Sequence, residues 1–241
     1  SAPLRLSSNR VVAIRMLDLP DDQKAAIALF ESGDFDAALP ALIRSISDHD
    51  AATRPPVWRQ QWLSMLAAQA AMRSGRGDIA LELVGQLDAR PLPTLVWGLM
   101  PIDWNGRHSR DAMIDMAARG ARSDSLAVKL VAASWLLRSP KYREVASTAI
   151  DRMAAQNQRK EVAELAGQLR WRTLSPPDIQ AGLPRWESQI QTLPMAMQTG
   201  PMIALTGLSR QTGDSETAKK WELVLKWSPP SWHPELVLRS D

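Results

Sequence analysis

Apolar residues recur three and four positions apart in nearly every segment of the chain, as in Ala26, Leu29 and Phe30, then Ala38, Leu42, Ile43 and Ile46. That spacing is one face of an α-helix, and the alternating pattern of a half-buried strand is absent. The segments are filled with Ala, Leu, Gln, Arg and Glu, whereas Pro and Gly fall mainly between them, where they punctuate rather than break. The chain therefore reads as all-α. Helices are predicted to begin near Asp21, Asp36, Val57, Asp78, Ser109, Asp124, Arg143, Arg159, Asp178, Thr199 and Ser215. Many have Asp or Ser at or beside the start, where a side-chain oxygen can cap free backbone N–H groups.

Two stretches depart from this pattern. Residues 1–17 carry Arg5, Arg10 and Arg15 with no acid and are expected to form an N-terminal tail, or a strap if Val11, Val12, Ile14 and Met16 dock on the first helix. Residues 18–241 then form the helical domain. Within it, residues 91–106 place Pro91, Pro93 and Pro101 around Val96, Trp97 and Leu99. Proline has no N–H and crowds the preceding turn, so Pro101 ends or kinks any helix there. The stretch is expected to be a joint between two halves, too apolar to be a flexible linker.

The residues Ala28, Leu29, Phe30, Glu31, Ser32, Gly33, Asp34, Phe35, Asp36, Ala37, Ala38 and Leu39, followed by Leu42, resemble the centre of a tetratricopeptide (TPR) repeat. In that family a Gly-Asp-aromatic turn joins two helices, and a small residue five positions after the Gly lets them approach closely. Gly33, Ala38 and Leu42 occupy the turn, small and large positions. A second copy has Gly75, Ala80 and Val84 without the aromatic; a third has Gly213, Asp214 and Ala218, with Pro230 where the family often closes its repeat. Between them, the turns near Gly106 and Pro140 fit within about a residue of the family period, and the Pro176–Pro177 segment fits in length. The resemblance implies a right-handed α-α superhelix of about five to six hairpins.

By the same resemblance, the first helix of each pair lines a concave groove that holds a protein or peptide. Residues counted back from each turn place Gln69 and Arg73, then Ser134 and Arg138, toward that groove, with Trp62 and Trp97 beside them. The Lys and Asn pattern with which some TPR domains clamp a C-terminal carboxylate is missing, so an internal or extended segment is the expected ligand.

Composition narrows this only slightly. The chain is 45% hydrophobic and 23% charged, the balance of a protein that folds by itself, with a formal net charge of +3. Residues 18–50 are acidic and arginine dominates from Arg54 onward, but no Lys/Arg run exceeds two residues, which argues against nucleic acid. The absence of cysteine excludes disulfides, thiol catalysis and iron-sulfur clusters. No apolar run approaches the roughly 18–20 residues that span a bilayer. A soluble chain of this kind suits the cytoplasm, or export after removal of a leader.

Chemistry-bearing residues are sparse. His49, His108 and His233 lie far apart, so no metal site or cofactor is expected, and neither a phosphate-binding loop nor a nucleophile elbow occurs. Carboxylate pairs such as Asp34 with Asp36 are better explained by helix starts than by acid–base work. Ten tryptophans against one Tyr and two Phe are spread over the whole chain. That distribution suits packing between hairpins, with the indole N–H donated to a loop carbonyl. The sequence thus favours a non-enzymatic binding scaffold. Two alternatives stay open: an enzyme or carbohydrate-binding protein with its site in residues 93–111, where Trp97, Trp104 and His108 coincide, and a purely structural domain of a larger assembly.

Overall fold

In the computed structural model the described residues are 19–47, 55–106, 111–156 and 158–237; the N-terminal strap, His49, His108 and Arg110 lie outside them. Each of the eleven predicted starts has a helix beginning within two residues of it, and two short helices, at Thr94 and Pro234, lie at no predicted start. The helices are α1 (Asp21–Glu31), α2 (Phe35–Ser47), α3 (Val57–Arg73), α4 (Gly77–Asp88), α5 (Thr94–Gly98), α6 (Asp111–Gly120) and α7 (Leu126–Leu136). The second half holds α8 (Arg143–Ala155), α9 (Lys160–Leu169), α10 (Pro176–Thr192), α11 (Thr199–Gln211), α12 (Ser215–Lys226) and α13 (Pro234–Val237). Short 3-10 turns occupy Arg170–Thr173, Met195–Met197 and Pro230–Trp232, and no strand occurs among the described residues. No helix among them is long and apolar enough to cross a membrane.

Three hairpin turns share one geometry. After α1, the Gly33 N–H bonds the Phe30 carbonyl and the Asp34 N–H reaches back to Leu29, both at 3.1 Å. Gly75 with Arg76, and Gly213 with Asp214, repeat those two bonds at the ends of α3 and α11. These bonds satisfy carbonyls that a helix end leaves open. They require a left-handed residue, and the three glycines have φ of 81°, 79° and 80°; a Cβ there would cost roughly 1–2 kcal/mol. The residue after the glycine also starts the next helix: Asp34 Oδ1 accepts from the Ala37 N–H, and Asp214 Oδ1 from the Thr217 N–H. Five positions past each glycine, Ala38, Ala80 and Ala218 are buried.

Packing follows chain order at first. Each of α1 to α4 packs on the next, α4 on α6 and α7, α7 on α8, α8 on α9, and both α9 and α10 on α11, which pairs with α12. Asp88 at the end of α4 ties this order together, accepting from the Ser125 hydroxyl at 2.6 Å and pairing with Arg159. Arg159 in turn lies over the Trp97 ring, 4.8 Å from its centroid. The chain then turns back, and the Pro230–Trp232 turn and α13 pack against α1, with α13 also touching α3. One buried cluster runs from Ala26 to Leu236.

Two of the expected hairpins fold differently. Pro93 and Pro101 bracket α5, which is a little over one turn long and packs on α3 and the Met195–Met197 turn rather than on α6. Similarly, α10 packs on α11 rather than pairing with α9. Tryptophan does act as core: Trp62, Trp97, Trp104, Trp135, Trp171, Trp186 and Trp221 are buried, whereas Trp58 and Trp227 are exposed. Trp171 and Trp186 stack with centroids 4.8 Å apart.

Enlarging a small residue where paired helices meet must force them apart. Ala38→Trp, Ala80→Trp and Ala218→Trp are each expected to cost at least about 1–3 kcal/mol in chemical denaturation, and a parent-like midpoint for all three would refute the packing role.

The Asp214 carboxyl is held below its ordinary value, first by the Thr217 backbone N–H and then by the Thr217 side chain. A depressed carboxyl stabilises the fold above the unfolded-state value of about 3.9, and the contribution is lost as pH falls through the lower folded value. Asp214→Ala removes the cap on the Thr217 N–H and should cost about 1 kcal/mol at neutral pH, and the gap between variant and parent in urea unfolding should narrow as pH falls below the unfolded-state carboxyl value.

Candidate functional site

Of the six residues expected to line an exposed groove, four are interior. Gln69 and Ser134 are fully buried, and Trp62 and Trp97 nearly so, which corrects the expectation that they face a partner. Arg73 is half-buried with its guanidinium over the Phe35 ring at 5.5 Å, and Arg138 is exposed.

The physical reason is that a segment of the chain itself occupies the space these side chains face. Beyond α5, residues 99–105 run in irregular form, with turns and bends, through the space between α3, α7 and α11, and residues 96–104 are all buried. The Leu99 and Met100 N–H groups bond α5 carbonyls, but the carbonyls that follow need partners from elsewhere. The Gln69 side-chain amide donates to the Leu99 and Met100 carbonyls, each at 2.9 Å, and the Trp135 indole N–H donates to the Pro101 carbonyl at 2.8 Å. The Asp103 N–H donates to the Ser134 hydroxyl oxygen at 3.1 Å, and Arg172 donates to the Asp103 carbonyl. Gln69 and Ser134 thus both bond one internal segment.

Two glycines permit the fit. A Cβ on Gly98 would stand 1.8 Å from the Ala196 carbonyl oxygen, and one on Gly200 would stand 2.1 Å from the Trp104 indole nitrogen. The stretch expected to be a joint is therefore packed against both halves of the fold.

Beside this segment the fold leaves a cleft of about 500 Å³. Trp104 and Asn105 form one end; Leu174, Ile179, Ala204 and Leu208 give an apolar wall from α10, α11 and the connection before them. Arg143 from the start of α8, Arg172 from the Arg170–Thr173 turn and Arg210 from α11 supply the charge, and no carboxylate is among the described lining residues. Arg143 is fixed by donating to the Leu137 and Arg172 carbonyls, both at 3.1 Å. Burial pulls the Arg172 guanidinium below its ordinary value; the Asp103 carboxylate opposes this, Arg143 adds to it, and Glu235 opposes it again. Glu235 accepts from the Asn105 amide at 2.5 Å, and Arg210 pairs with Glu222.

Two further clefts, of about 430 and 380 Å³, have fewer convergent charges. No group of three His, Asp or Glu among the described residues is placed to hold a metal ion. Arg143, Arg172 and Arg210 come from separate elements with no common spacing, so no local pattern in the chain signals them. An isolated glycine inside an apolar helix, as at Gly200, is the kind of signal that marks close packing.

No family model matches the sequence, and neither a curated protein nor a solved structure matches it.

Gln69→Met keeps the volume but removes the donor shared by two buried carbonyls. The expected loss is about 1–3 kcal/mol, read by denaturant unfolding with tryptophan fluorescence as the probe. Unchanged stability would mean that the internal segment is not held there.

Proposed function

We propose that the chain is a non-enzymatic scaffold of TPR-like helical hairpins that holds a protein or peptide partner. One observation carries this reading: side chains on the helices grip an irregular, non-helical segment through its backbone atoms. Gln69, Trp135 and Arg172 donate to four carbonyls of residues 99–103, and Ser134 accepts an N–H. Helices that can hold one non-helical segment by its backbone are suited to holding a second along their remaining surface. The repeated Gly33, Gly75 and Gly213 turns, with small buried residues five positions on, support the repeat character. Since the chain's own segment takes the inner position, the surface left to a partner is the cleft at the Trp104–Asn105 end. A sugar platform is less well supported, because Trp97 and Trp104 are buried in packing rather than presented on one open face.

Panning a random-peptide library against the intact protein, with hydrogen exchange to locate the bound peptides, tests this. The expected outcome is enrichment of peptides that protect amides of α11 and the Arg170–Thr173 turn. Arg73→Glu with Arg138→Glu, neither of which lines the cleft, should leave their capture intact. Failure to enrich any peptide, or protection confined to α1–α4, would overturn the proposal.

A further inference from the structure

Resting on the scaffold reading, and deepening it to a ligand class, we infer that the cleft between α8, α10 and α11 seats an acidic side chain carried by an extended peptide. The carboxylate pairs with Arg143 and Arg210 at the rim, with Arg172 behind them. Arg143 is the first reason. A guanidinium has five N–H groups in a planar fork, and the two bonds to the Leu137 and Arg172 carbonyls fix the side chain while leaving others for a ligand. Among the described residues no carboxylate forms an ion pair with Arg143. An arginine already held in place loses little freedom when it binds, and its fork matches a carboxylate.

Gly207 is the second reason. It lines the cleft from within α11. A Cβ there would meet only Asn105, at an ordinary 3.9 Å, so packing does not demand a glycine as it does at Gly98 and Gly200. The missing side chain deepens the cleft instead.

Two features favour a peptide over a polyanion. Asp103 and Glu235 act electrostatically on Arg172, and Glu222 pairs with Arg210, so these two arginines already have carboxylate neighbours. That suits one carboxylate held by directional hydrogen bonds better than a phosphodiester track held by charge. The wall of Leu174, Ile179, Ala204 and Leu208 gives apolar neighbours of the acid a surface to lie on.

Fluorescence anisotropy with dye-labelled peptides alternating Leu with Glu, Gln or Lys tests the assignment, with inorganic phosphate as a competitor. The Glu peptide should bind at least about tenfold tighter than the other two. Gly207→Glu and Arg210→Gln should each weaken it at least about tenfold; circular dichroism melts establish that each variant is folded. Should Gly207→Glu not fold, Arg210→Gln carries the test. Equal binding of Glu and Gln peptides, lost in Gly207→Glu, would overturn the acidic preference and leave the scaffold reading standing. Glu-peptide binding unaffected by either substitution would overturn the site. Binding of phosphate with no peptide of any charge, or of nothing at all, would overturn both readings.

Discussion

A non-helical stretch of backbone buried inside a helical protein sets the strongest constraint on this structure. Beyond the Leu99 and Met100 N–H groups, which bond α5 carbonyls, residues 99–104 have neither a helix nor a sheet to absorb their polar groups, and leaving such groups unpaired in the interior costs about 1–3 kcal/mol each. The surrounding helices must therefore present donors at fixed places. That requirement explains why α3 carries a fully buried Gln69 and α7 a buried Ser134 beside Trp135. It also explains the indole of Trp135, whose single N–H can serve a carbonyl while its ring remains in the core. Gly98 and Gly200 meet the steric side of the same constraint.

The constraint extends to charge. Bringing Arg172 inward to reach the Asp103 carbonyl exposes a guanidinium to desolvation, and the Asp103 and Glu235 carboxylates offset it. Glu235 belongs to α13 and also accepts from Asn105, so the C-terminal helix is drawn against the internal segment. The Glu235 N–H donates to His233 Nδ1 at 3.3 Å, which places the imidazole at the start of that helix as a cap. A polar network in the interior thus joins α7, α8, the internal segment and the C-terminal end. Its members are interdependent because each buried charge or carbonyl relies on the next.

Much of the secondary structure was legible because its signals are local. Periodic apolar residues, the Gly33, Gly75 and Gly213 turns, and the starts at Asp21, Val57, Arg143, Thr199 and Ser215 all lie within one turn of the element they specify. The prolines at 93 and 101 correctly mark an irregular stretch, but proline reports only that a helix stops. Whether the stopped chain swings outward as a joint or inward as core depends on Gln69, Trp135 and Gly200, which are distant in sequence. The same limit applies to the arginine cleft, since Arg143, Arg172 and Arg210 share a wall only after α8 and α11 have been placed. Gln69 and Ser134, expected on an exposed face, are buried, because the periodic pattern says which side of a helix faces inward and nothing about what lies there.

On the proposed reading, filling the groove internally alters how a partner can be recognised. An empty groove between helices offers backbone-satisfying donors along its length, and specificity then comes from pockets for alternate side chains. Here those donors are already committed to residues 99–103, which lowers the entropy the fold must lose to keep the groove rigid but leaves no backbone-reading surface for a partner. Recognition must fall to side chains at the rim, where Arg143, Arg172 and Arg210 meet an apolar wall. Such a site selects by the chemistry of one or two ligand side chains rather than by peptide length. Because Arg172 serves both the internal segment and the cleft, tightening one alters the electrostatics of the other. Occupancy of the cleft is therefore coupled to the network that holds the core together, and a ligand bound at the rim stabilises the fold with the logarithm of its concentration relative to Kd.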